Sequence, residues 1–599
     1  MNPTKRISRR RLLGASAFAA IGAGANLILP RPLWARSVSP SAALLANPKR
    51  ELTIGPTSIN FGGRGAAANG INGSVPGPLL RWREGDDIDL LVRNELNEQS
   101  SIHWHGLLLP SNMDGVPGLS FAGIEPGGEY RYRFKLRQNG TYWYHSHSGF
   151  QEQTGVYGPI IIDPKDEDPI ESDREFILLL SDWTFEDPNR LLNNLKVRDD
   201  YYNYNRRTFG EFVRDARRDG WLATMADRRM WGNMRMKASD IADITAATYT
   251  YLLNGMDAAQ NWTGVFAPGD RVRLRIINGS AQTFFNVRIP GLEMTVVQTD
   301  GQYVEPVKTD EIQIGVAETY DVVINPKGSQ AYTFFAETMD RSGFARGTLT
   351  PRAGLQAAVP ALRPSPRVTM RDMGMNHGSM DHGGMDHGSM DHGATDHDSM
   401  DHDSIGHGAM DHGAMADSGA DTGRPRRGPG VANVVANPMS RLDEPGQGLA
   451  GGPHRVLRYS QLRALTPNAD NRSPARELTL HLTGNMERYM WSFDGVKYSE
   501  VDGPIRLSYN ERVRLVLINN TMMSHPIHLH GMFVELVNGN GPHNPRKHTV
   551  VVKPAERLAL DLTANEPGHW AFHCHMLYHM KAGMMRSVLV ADEPEERAS

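Results

Sequence analysis

The sequence predicts an all-β protein of several domains, and three features indicate this. The chain has 599 residues, enough for three or four domains of about 150 residues each. Its 60 glycines and 37 prolines predict many turns. Short β-forming runs, such as Ile88–Val92 and Tyr130–Leu136, lie between turn motifs such as Glu125–Gly128. Short strands at regular spacing are typical of β-sandwiches and β-barrels.

Residues 1–35 have the pattern of an export signal. Consecutive arginines in Ser8–Leu13 precede a mildly apolar stretch, Leu12–Leu29, and Leu33–Ala35 offers a cleavage site. This pattern predicts a twin-arginine signal, export of the folded protein and residence in the periplasm. A permanent membrane anchor is the alternative, but the apolar run is borderline for spanning a bilayer and contains Asn26.

The first predicted domain, residues 50–165, contains two histidine pairs. His103 and His105 flank a tryptophan, and His145 and His147 flank a serine. Alternate side chains of a strand share one face, so each pair places two imidazoles together. Asp114 follows the first pair, and its local context fits a turn residue before glycine.

The second predicted domain, residues 172–352, contains no histidine and is therefore not expected to bind a metal through imidazoles. Within it, residues 187–245 form an insertion, where Phe209–Arg229 has the residue spacing of a helix. Two interpretations of its methionines remain open. They pack a surface helix onto the barrel, or their thioethers bind Cu(I), which soft sulfur ligands select. These methionines are Met225, Met230, Met234 and Met236.

Residues 353–455 are predicted to be a linker, and residues 370–415 within it repeat Met-Asp-His-Gly with small variations. This tract has almost no large apolar residues, so it cannot offset its ordering entropy and is predicted to be disordered without metal. Methionine and histidine suit Cu(I), and histidine and aspartate accept Cu(II), which predicts additional copper binding. A flexible polar spacer is the alternative.

The third predicted domain, residues 456–593, contains the only cysteine of the chain, Cys574. A lone cysteine cannot form a disulfide within its chain, and a free thiol is unusual in the periplasm unless a metal occupies it. Together with nearby imidazoles and a thioether it supplies the ligand types of a blue-copper site. The candidate ligands that we single out in this domain, besides Cys574, are His525, His528, His530, His573, His575, His579 and Met584.

The stretch His573-Cys574-His575 also predicts a short path for electrons. If it is extended, the two imidazoles point to one face and the thiol points to the other. A metal bound through Cys574 is then separated by a few covalent bonds from metals bound by His573 and His575.

These clusters, in this order, resemble the multicopper oxidases, and the Met-Asp-His tract resembles the copper-resistance protein A (CopA) type of that family. The resemblance implies three cupredoxin-like Greek-key β-barrels. It also implies one type 1 copper, one type 2 copper and a type 3 pair. The implied type 1 ligands are His525, Cys574, His579 and Met584. The implied type 2 ligands are His103 and His528, and the implied type 3 ligands are His105, His145 and His575 on one side and His147, His530 and His573 on the other.

The resemblance further implies an oxidase that passes electrons from the type 1 site, through Cys574, His573 and His575, to the trinuclear site, where dioxygen is reduced to two waters. We predict Cu(I) as the electron donor and a role in copper resistance, with other periplasmic copper-handling proteins as partners. A laccase-like oxidase of small phenols and a non-catalytic copper-sequestering protein are the alternatives. The net charge of −4 gives no indication of nucleic-acid binding.

Two residues bear on proton delivery. The resemblance implies that Asp114 is an acid near the water channel that relays protons to the oxygen-reducing site. Some bacterial relatives have a relaying glutamate just before the second type 1 histidine, but this chain has Tyr578 there. The prediction therefore assigns more of the relay to Asp114.

Overall fold

A computed structural model describes residues 49–205, 207–233, 236–370, 372 and 425–592. The predicted signal and almost all of the predicted Met-Asp-His tract lie outside these residues. The described chain forms six β-sheets and a few helices, which confirms the all-β prediction. Among the described residues, no helix is long and apolar enough to cross a membrane.

The first pair of sheets comes from the strands between residues 49 and 163, in the orders β2-β1-β4-β6 and β3-β8-β7-β5. In β6 the apolar Tyr132 and Phe134 are buried, whereas the alternating Arg131 and Arg133 are exposed, so one face of this strand packs on the core. The strands are β1 (Lys49–Phe61), β2 (Arg64–Ile71), β3 (Leu80–Arg83), β4 (Asp87–Asn94), β5 (His103–His105), β6 (Glu129–Lys135), β7 (Gly140–His145) and β8 (Tyr157–Asp163).

The second pair of sheets has the orders β10-β9-β12-β17-β14-β15 and β11-β19-β18-β13-β16. Strands β12 and β18 are buried at every position, as expected for strands covered on both faces. The strands are β9 (Arg174–Thr184), β10 (Tyr249–Leu253), β11 (Trp262–Val265), β12 (Val272–Asn278), β13 (Phe285–Arg288), β14 (Met294–Thr299), β15 (Gln302–Thr309), β16 (Glu311–Ile314), β17 (Thr319–Ile324), β18 (Tyr332–Thr338) and β19 (Phe344–Thr350).

The third pair of sheets has the orders β21-β20-β23-β28-β25-β26 and β22-β30-β29-β24-β27. Here the long strand β29 pairs with both β24 and β30. The strands are β20 (Arg476–Asn485), β21 (Met490–Phe493), β22 (Ile505–Ser508), β23 (Arg512–Asn519), β24 (His525–Leu529), β25 (Val534–Leu536), β26 (Arg546–Lys547), β27 (Thr549–Val552), β28 (Arg557–Thr563), β29 (Gly568–Cys574) and β30 (Met585–Ala591).

The insertion of the second domain is partly helical, as predicted. It contains α1 (Pro188–Val197), α2 (Phe209–Asp219) and α3 (Trp221–Asn233), and α4 (Leu577–Lys581) follows β29. Helix α2 begins with a capping box, in which the Thr208 and Glu211 side chains each bond the other residue's backbone N–H. Gly220, with φ of 90°, ends α2, so the predicted single helical stretch is two helices.

The described parts of the predicted linker contain no α-helix or β-strand, yet they are tied to the barrels. Arg363 forms ion pairs with the buried Glu311 and Glu337 of the second pair of sheets. The backbone N–H of Val435 donates to Asn520 in the third pair, at 2.9 Å. These contacts fix both ends of the described linker onto the folded core.

Candidate metal centres

The first candidate centre gathers the cysteine and two histidines of the third domain. Cys574 Sγ lies 3.6 Å from His525 Nδ1 and 3.9 Å from His579 Nδ1, and the two Nδ1 atoms are 3.3 Å apart. The register pairs Ile527 of β24 with Cys574 of β29, so His525, two residues before Ile527, lies on the same face as Cys574, and α4 returns His579 to it. Met584 is fully buried, and its carbonyl oxygen accepts a hydrogen bond from the Cys574 backbone, at 3.1 Å.

The other ring nitrogens of these two histidines are already occupied. His525 Nε2 lies 2.7 Å from Thr521 Oγ1, and His579 Nε2 lies 2.9 Å from Asp243 Oδ2. Such contacts fix the ring orientation and leave each Nδ1 directed at the thiol. Trp491 stacks on the His579 ring, with centroids 3.9 Å apart. The donor set is therefore compact, buried and held in place by its surroundings.

The second candidate centre joins histidines from both ends of the described chain. Within each of three groups, the ligand atoms lie within 4.8 Å of one another. In the strand registers, His103 pairs with His145 in the first domain and His528 pairs with His573 in the third. The three groups are His103–His105–His528, His105–His145–His575 and His147–His530–His573.

Cys574 and its two neighbours serve different centres, as the strand alternation predicts. Cys574 faces His525 and His579, whereas the adjacent His573 and His575 join the second centre. The His573 Nε2 atom is 3.0 Å from His530 Nε2 and 3.4 Å from His147 Nε2. Three consecutive residues thus connect the two candidate centres.

Two buried carboxylates orient imidazoles of the second centre. Asp114 contacts His103 Nδ1 through Oδ1, at 3.2 Å, and His530 Nδ1 through Oδ2, at 2.9 Å. Glu152 Oε2 lies 2.8 Å from His145 Nδ1. With their Nδ1 atoms engaged, His103 and His145 keep their Nε2 atoms free of hydrogen-bond partners within the described chain.

The chemical state of the donors fits metal binding. Burial lowers the pKa of His105, His145 and His525 well below the ordinary value, so these imidazoles are neutral and keep a lone pair for a metal. Burial also raises the pKa of the Cys574 thiol, and a bound cation opposes that effect by stabilising the thiolate. Buried imidazole nitrogens without a partner are costly unless a ligand satisfies them. The residues therefore fit copper.

Several neighbours of the centres were not predicted from the sequence. Asp243 lies in the insertion, and its Oδ2 atom also accepts hydrogen bonds from Gln282 and Tyr489, both at 2.8 Å. Glu152 follows the second histidine pair by a few residues, which is the only local signal for it. Tyr578 is buried, its ring stacks on Phe150, and its hydroxyl lies 3.4 Å from Gln153 Oε1.

A cleft of about 210 Å³ lies against the first candidate centre. Its walls include Trp491 and Thr521, which contact the two histidines of that centre. Three thioethers and three carboxylates also line it, from Met236, Met486, Met522, Asp199, Asp240 and Glu487.

The four predicted methionines of the insertion have different environments. Met225 is exposed on α3, and Met230 packs against the hydrophobic core. Met236 lines the cleft, and Met234 lies outside the described residues. Packing therefore describes both Met230 and Met236, and Met236 also lies where it can contact a small molecule or ion in the cleft.

Cupredoxin-like β-barrels with buried histidine clusters and one buried cysteine define a copper-dependent redox protein. Sequence models of the family described as "Multicopper oxidase" match residues 53–167, 174–357 and 471–594. The chain belongs to the multicopper oxidase family and is an oxidoreductase whose cofactors are type 1, type 2 and type 3 copper.

Individual relatives agree with this assignment. Copper resistance protein A of Pseudomonas syringae pv. tomato is 53% identical over 98% of this chain and 100% of its own length. Copper resistance protein A of Escherichia coli is 52% identical over 92% of this chain and 94% of its own. The crystal structure of Fet3p, a multicopper oxidase that functions in iron import, has a TM-score of 0.61 and 20% identity, covering 90% of each chain. At that identity the likeness to Fet3p shows the fold.

Proposed function

We propose that this oxidoreductase acts in copper resistance, takes electrons from Cu(I) and reduces dioxygen to water in the periplasm. The observation that carries the choice of donor is the cleft beside the first candidate centre. Thioethers select Cu(I), and carboxylates accept the Cu(II) that its oxidation produces. A cleft built for phenols is expected to be mainly apolar, whereas this one combines Met236, Met522 and Asp240.

We assign His525, Cys574, His579 and Met584 to the type 1 copper. His103 and His528 are assigned to the type 2 copper. The type 3 pair is assigned to His105, His145 and His575 on one side and to His147, His530 and His573 on the other. The grouping of the ligand atoms supports each of these sets except for Met584, whose burial and chain position support it.

When bound, copper supplies one-electron chemistry at the first centre and the reduction of dioxygen at the second. The protein's own residues connect the donor to that chemistry. Trp491 forms a wall of the cleft and stacks on His579, and Thr521 lines the cleft and contacts His525. A Cu(I) ion held by the cleft is therefore separated from two type 1 ligands by single side chains.

At the second centre, Asp114 and Glu152 hold the Nδ1 sides of three imidazoles. We propose that Asp114 also supplies protons to the oxygen-reducing site, because its buried carboxylate bridges His103 and His530. This assignment follows from its position, and Tyr578 is assigned no proton transfer.

The physiological role rests on the relatives and on the N-terminal sequence. Two proteins more than half identical to this chain over most of its length are named for copper resistance. The twin-arginine pattern in Ser8–Leu13 supports export by that route, with no membrane anchor after cleavage. The Met-Asp-His tract, residues 370–415, is proposed to bind further copper, and almost all of it lies outside the described residues.

Oxygen uptake by the copper-loaded protein tests the donor. We expect replacement of Met236 and Met522 by leucine to raise the KM for Cu(I) by about 10-fold, since thioether ligands are lost without a large change in volume. Turnover with a small phenol should stay near the wild-type value.

Met225→Leu is the matched control, because Met225 belongs to the same insertion but is exposed and does not line the cleft. This variant should oxidise Cu(I) like the wild type. If replacement of Met236 and Met522 by leucine reduces the oxidation of Cu(I) and of the phenol equally, Cu(I) is not the substrate of the cleft. The phenol oxidase is then the favoured function.

A further inference from the structure

The second domain provides no predicted copper ligand, yet one of its carboxylates, that of Asp300, contacts a segment that borders the proposed trinuclear site. Asp300 lies in the tight connection between β14 and β15, with φ of 48°. It is fully buried, and its Oδ1 atom accepts a hydrogen bond from the backbone of Thr319, at 3.0 Å. Asp300 is therefore rigidly anchored in its own domain.

The other oxygen of Asp300 binds a segment of the third domain. Oδ2 accepts hydrogen bonds from the backbone N–H groups of His548 and Thr549, at 3.2 and 3.1 Å, and lies 3.1 Å from Lys547 Nζ. Lys547 ends β26, His548 connects the two strands and Thr549 begins β27, and all three residues are buried. One carboxylate thus fixes three consecutive residues across a domain boundary.

The same segment holds two predicted ligands from two different domains. The His548 carbonyl oxygen accepts a hydrogen bond from His528 Nδ1, at 2.6 Å. His105 Nε2 lies 3.1 Å from His548 Nδ1 and 3.2 Å from Thr549 Oγ1. These contacts leave His528 Nε2 and His105 Nδ1 as the atoms without a partner in the described chain, and these atoms face the site.

We infer that Asp300 is a positioning residue for the trinuclear site, which fixes the orientation of His105 and His528 through residues 547–549. This inference rests on the proposed assignment of those two histidines as copper ligands. Partners of ligand side chains, mutated singly, commonly change metal affinity by about 10–100-fold. Asp300 acts one contact further out, so we expect its effect near the lower end of that range.

Glu318 offers a matched control within the same ion cluster. Its Oε1 atom also lies 3.1 Å from Lys547 Nζ, and its side chain is equally buried. Its remaining hydrogen bonds go to the Tyr459 and Tyr320 hydroxyls and to the Gly315 backbone, at 2.7, 3.2 and 2.7 Å. Removing the charge of Glu318 therefore disturbs Lys547 without releasing the backbone of His548 and Thr549.

Asp300→Asn and Glu318→Gln, each fully loaded with copper, separate positioning from charge. The asparagine amide has one acceptor oxygen where the carboxylate has two, so its NH2 group must face one of the N–H donors. We expect Asp300→Asn to lose trinuclear copper to a chelator about 10-fold faster than the wild type. Its type 2 electron paramagnetic resonance signal should change, while the blue type 1 absorption is retained. Glu318→Gln should match the wild type in all three measurements.

Asp300→Gly is the second variant, because glycine adopts the positive φ of this position without strain. It should reproduce the copper loss even if Asp300→Asn folds poorly. Equal copper loss in the Glu318 variant, or unchanged copper retention in both Asp300 variants, would overturn the inference. A wild-type protein that binds no trinuclear copper would instead overturn the proposed function.

Discussion

The two candidate copper centres differ in where their ligands come from. The type 1 ligands that we assign all lie between residues 525 and 584, within one barrel. The trinuclear ligands come from residues 103–147 and from residues 528–575, so two barrels must meet to form that site. Both centres nevertheless contact the second barrel, through Asp243 at the first and Asp300, by way of residues 547–549, at the second.

From this comparison we propose that a domain without assigned copper ligands tunes both copper centres. The first domain supplies imidazoles, and the third supplies the cysteine and the remaining imidazoles. The second supplies carboxylates that hold ligands or the segments behind them. Changes to ligands should therefore abolish one centre, whereas changes to these carboxylates should tune it.

The largest expected effect is that of Cys574→Ser, which breaks the connection between the centres. A serine hydroxyl does not replace a thiolate as a copper ligand, so the blue absorption and oxygen uptake should both fall to background. The trinuclear copper should remain, because Asp114 and Glu152 still orient its imidazoles. Copper analysis, visible spectroscopy and an oxygen electrode measure the three quantities. Retained turnover would contradict the electron path through Cys574.

An intermediate effect is expected for Asp243→Asn, which changes the type 1 side alone. Removing a buried negative charge 2.9 Å from His579 Nε2 favours the reduced metal. The type 1 reduction potential should rise by about 60 mV, which is a tenfold change in equilibrium constant for one electron. Redox titration of the blue absorption measures the shift. An altered type 2 resonance signal in the same variant would show that the two centres are not tuned separately.

The smallest effect is a pH dependence of donor binding in the cleft. Burial raises the pKa of Asp240 to about 8, while nearby Lys237 lowers it and Asp199, Asp243 and Asp200 raise it. A carboxyl with that pKa is mostly protonated at pH 7, so Cu(I) binding should strengthen as the pH rises through 8. From the ionised fraction, the KM for Cu(I) should fall by up to about tenfold between pH 7 and pH 9.

The Asp240→Asn variant provides the control for this pH dependence. Its KM for Cu(I) should vary much less over the same range, because the titrating carboxyl is gone. For a neutral donor, the KM of the wild type should not show the fall between pH 7 and pH 9 that ionisation of Asp240 causes for Cu(I). A wild-type pH profile that Asp240→Asn reproduces would assign the titration to another group.

Much of the fold and the ligand clusters could be predicted from the sequence. Turn residues between short β-forming runs predicted β-sandwiches or β-barrels. The ligand types around Cys574 predicted a blue-copper site, and the His-x-His pairs, through the family resemblance that they carry, implied the second kind of centre. Both signals are local, since neighbouring residues in one strand fix which side chains share a face. The residue spacing that predicted a helix in the insertion is also a local signal, although Gly220 divides that stretch into two helices.

The residues that support the centres could not be predicted in this way. Asp243 is 336 positions from His579 in the sequence. A single aspartate in an insertion has no sequence pattern that predicts which residue it will contact. Asp300 and His548 are likewise ordinary in their local context, and 248 positions separate them. Their roles arise from the docking of one barrel on another, which periodicity within a strand does not specify.

The division of the trinuclear ligands between the ends of the chain has a consequence for assembly. Until the first and third barrels dock, each holds only half of the assigned imidazoles, and the complete site for three metal ions does not exist. Copper can therefore occupy this site fully only after the first and third barrels have folded and docked. The cysteine-bearing barrel, by contrast, contains its whole ligand set and can acquire its ion before the rest of the molecule has closed.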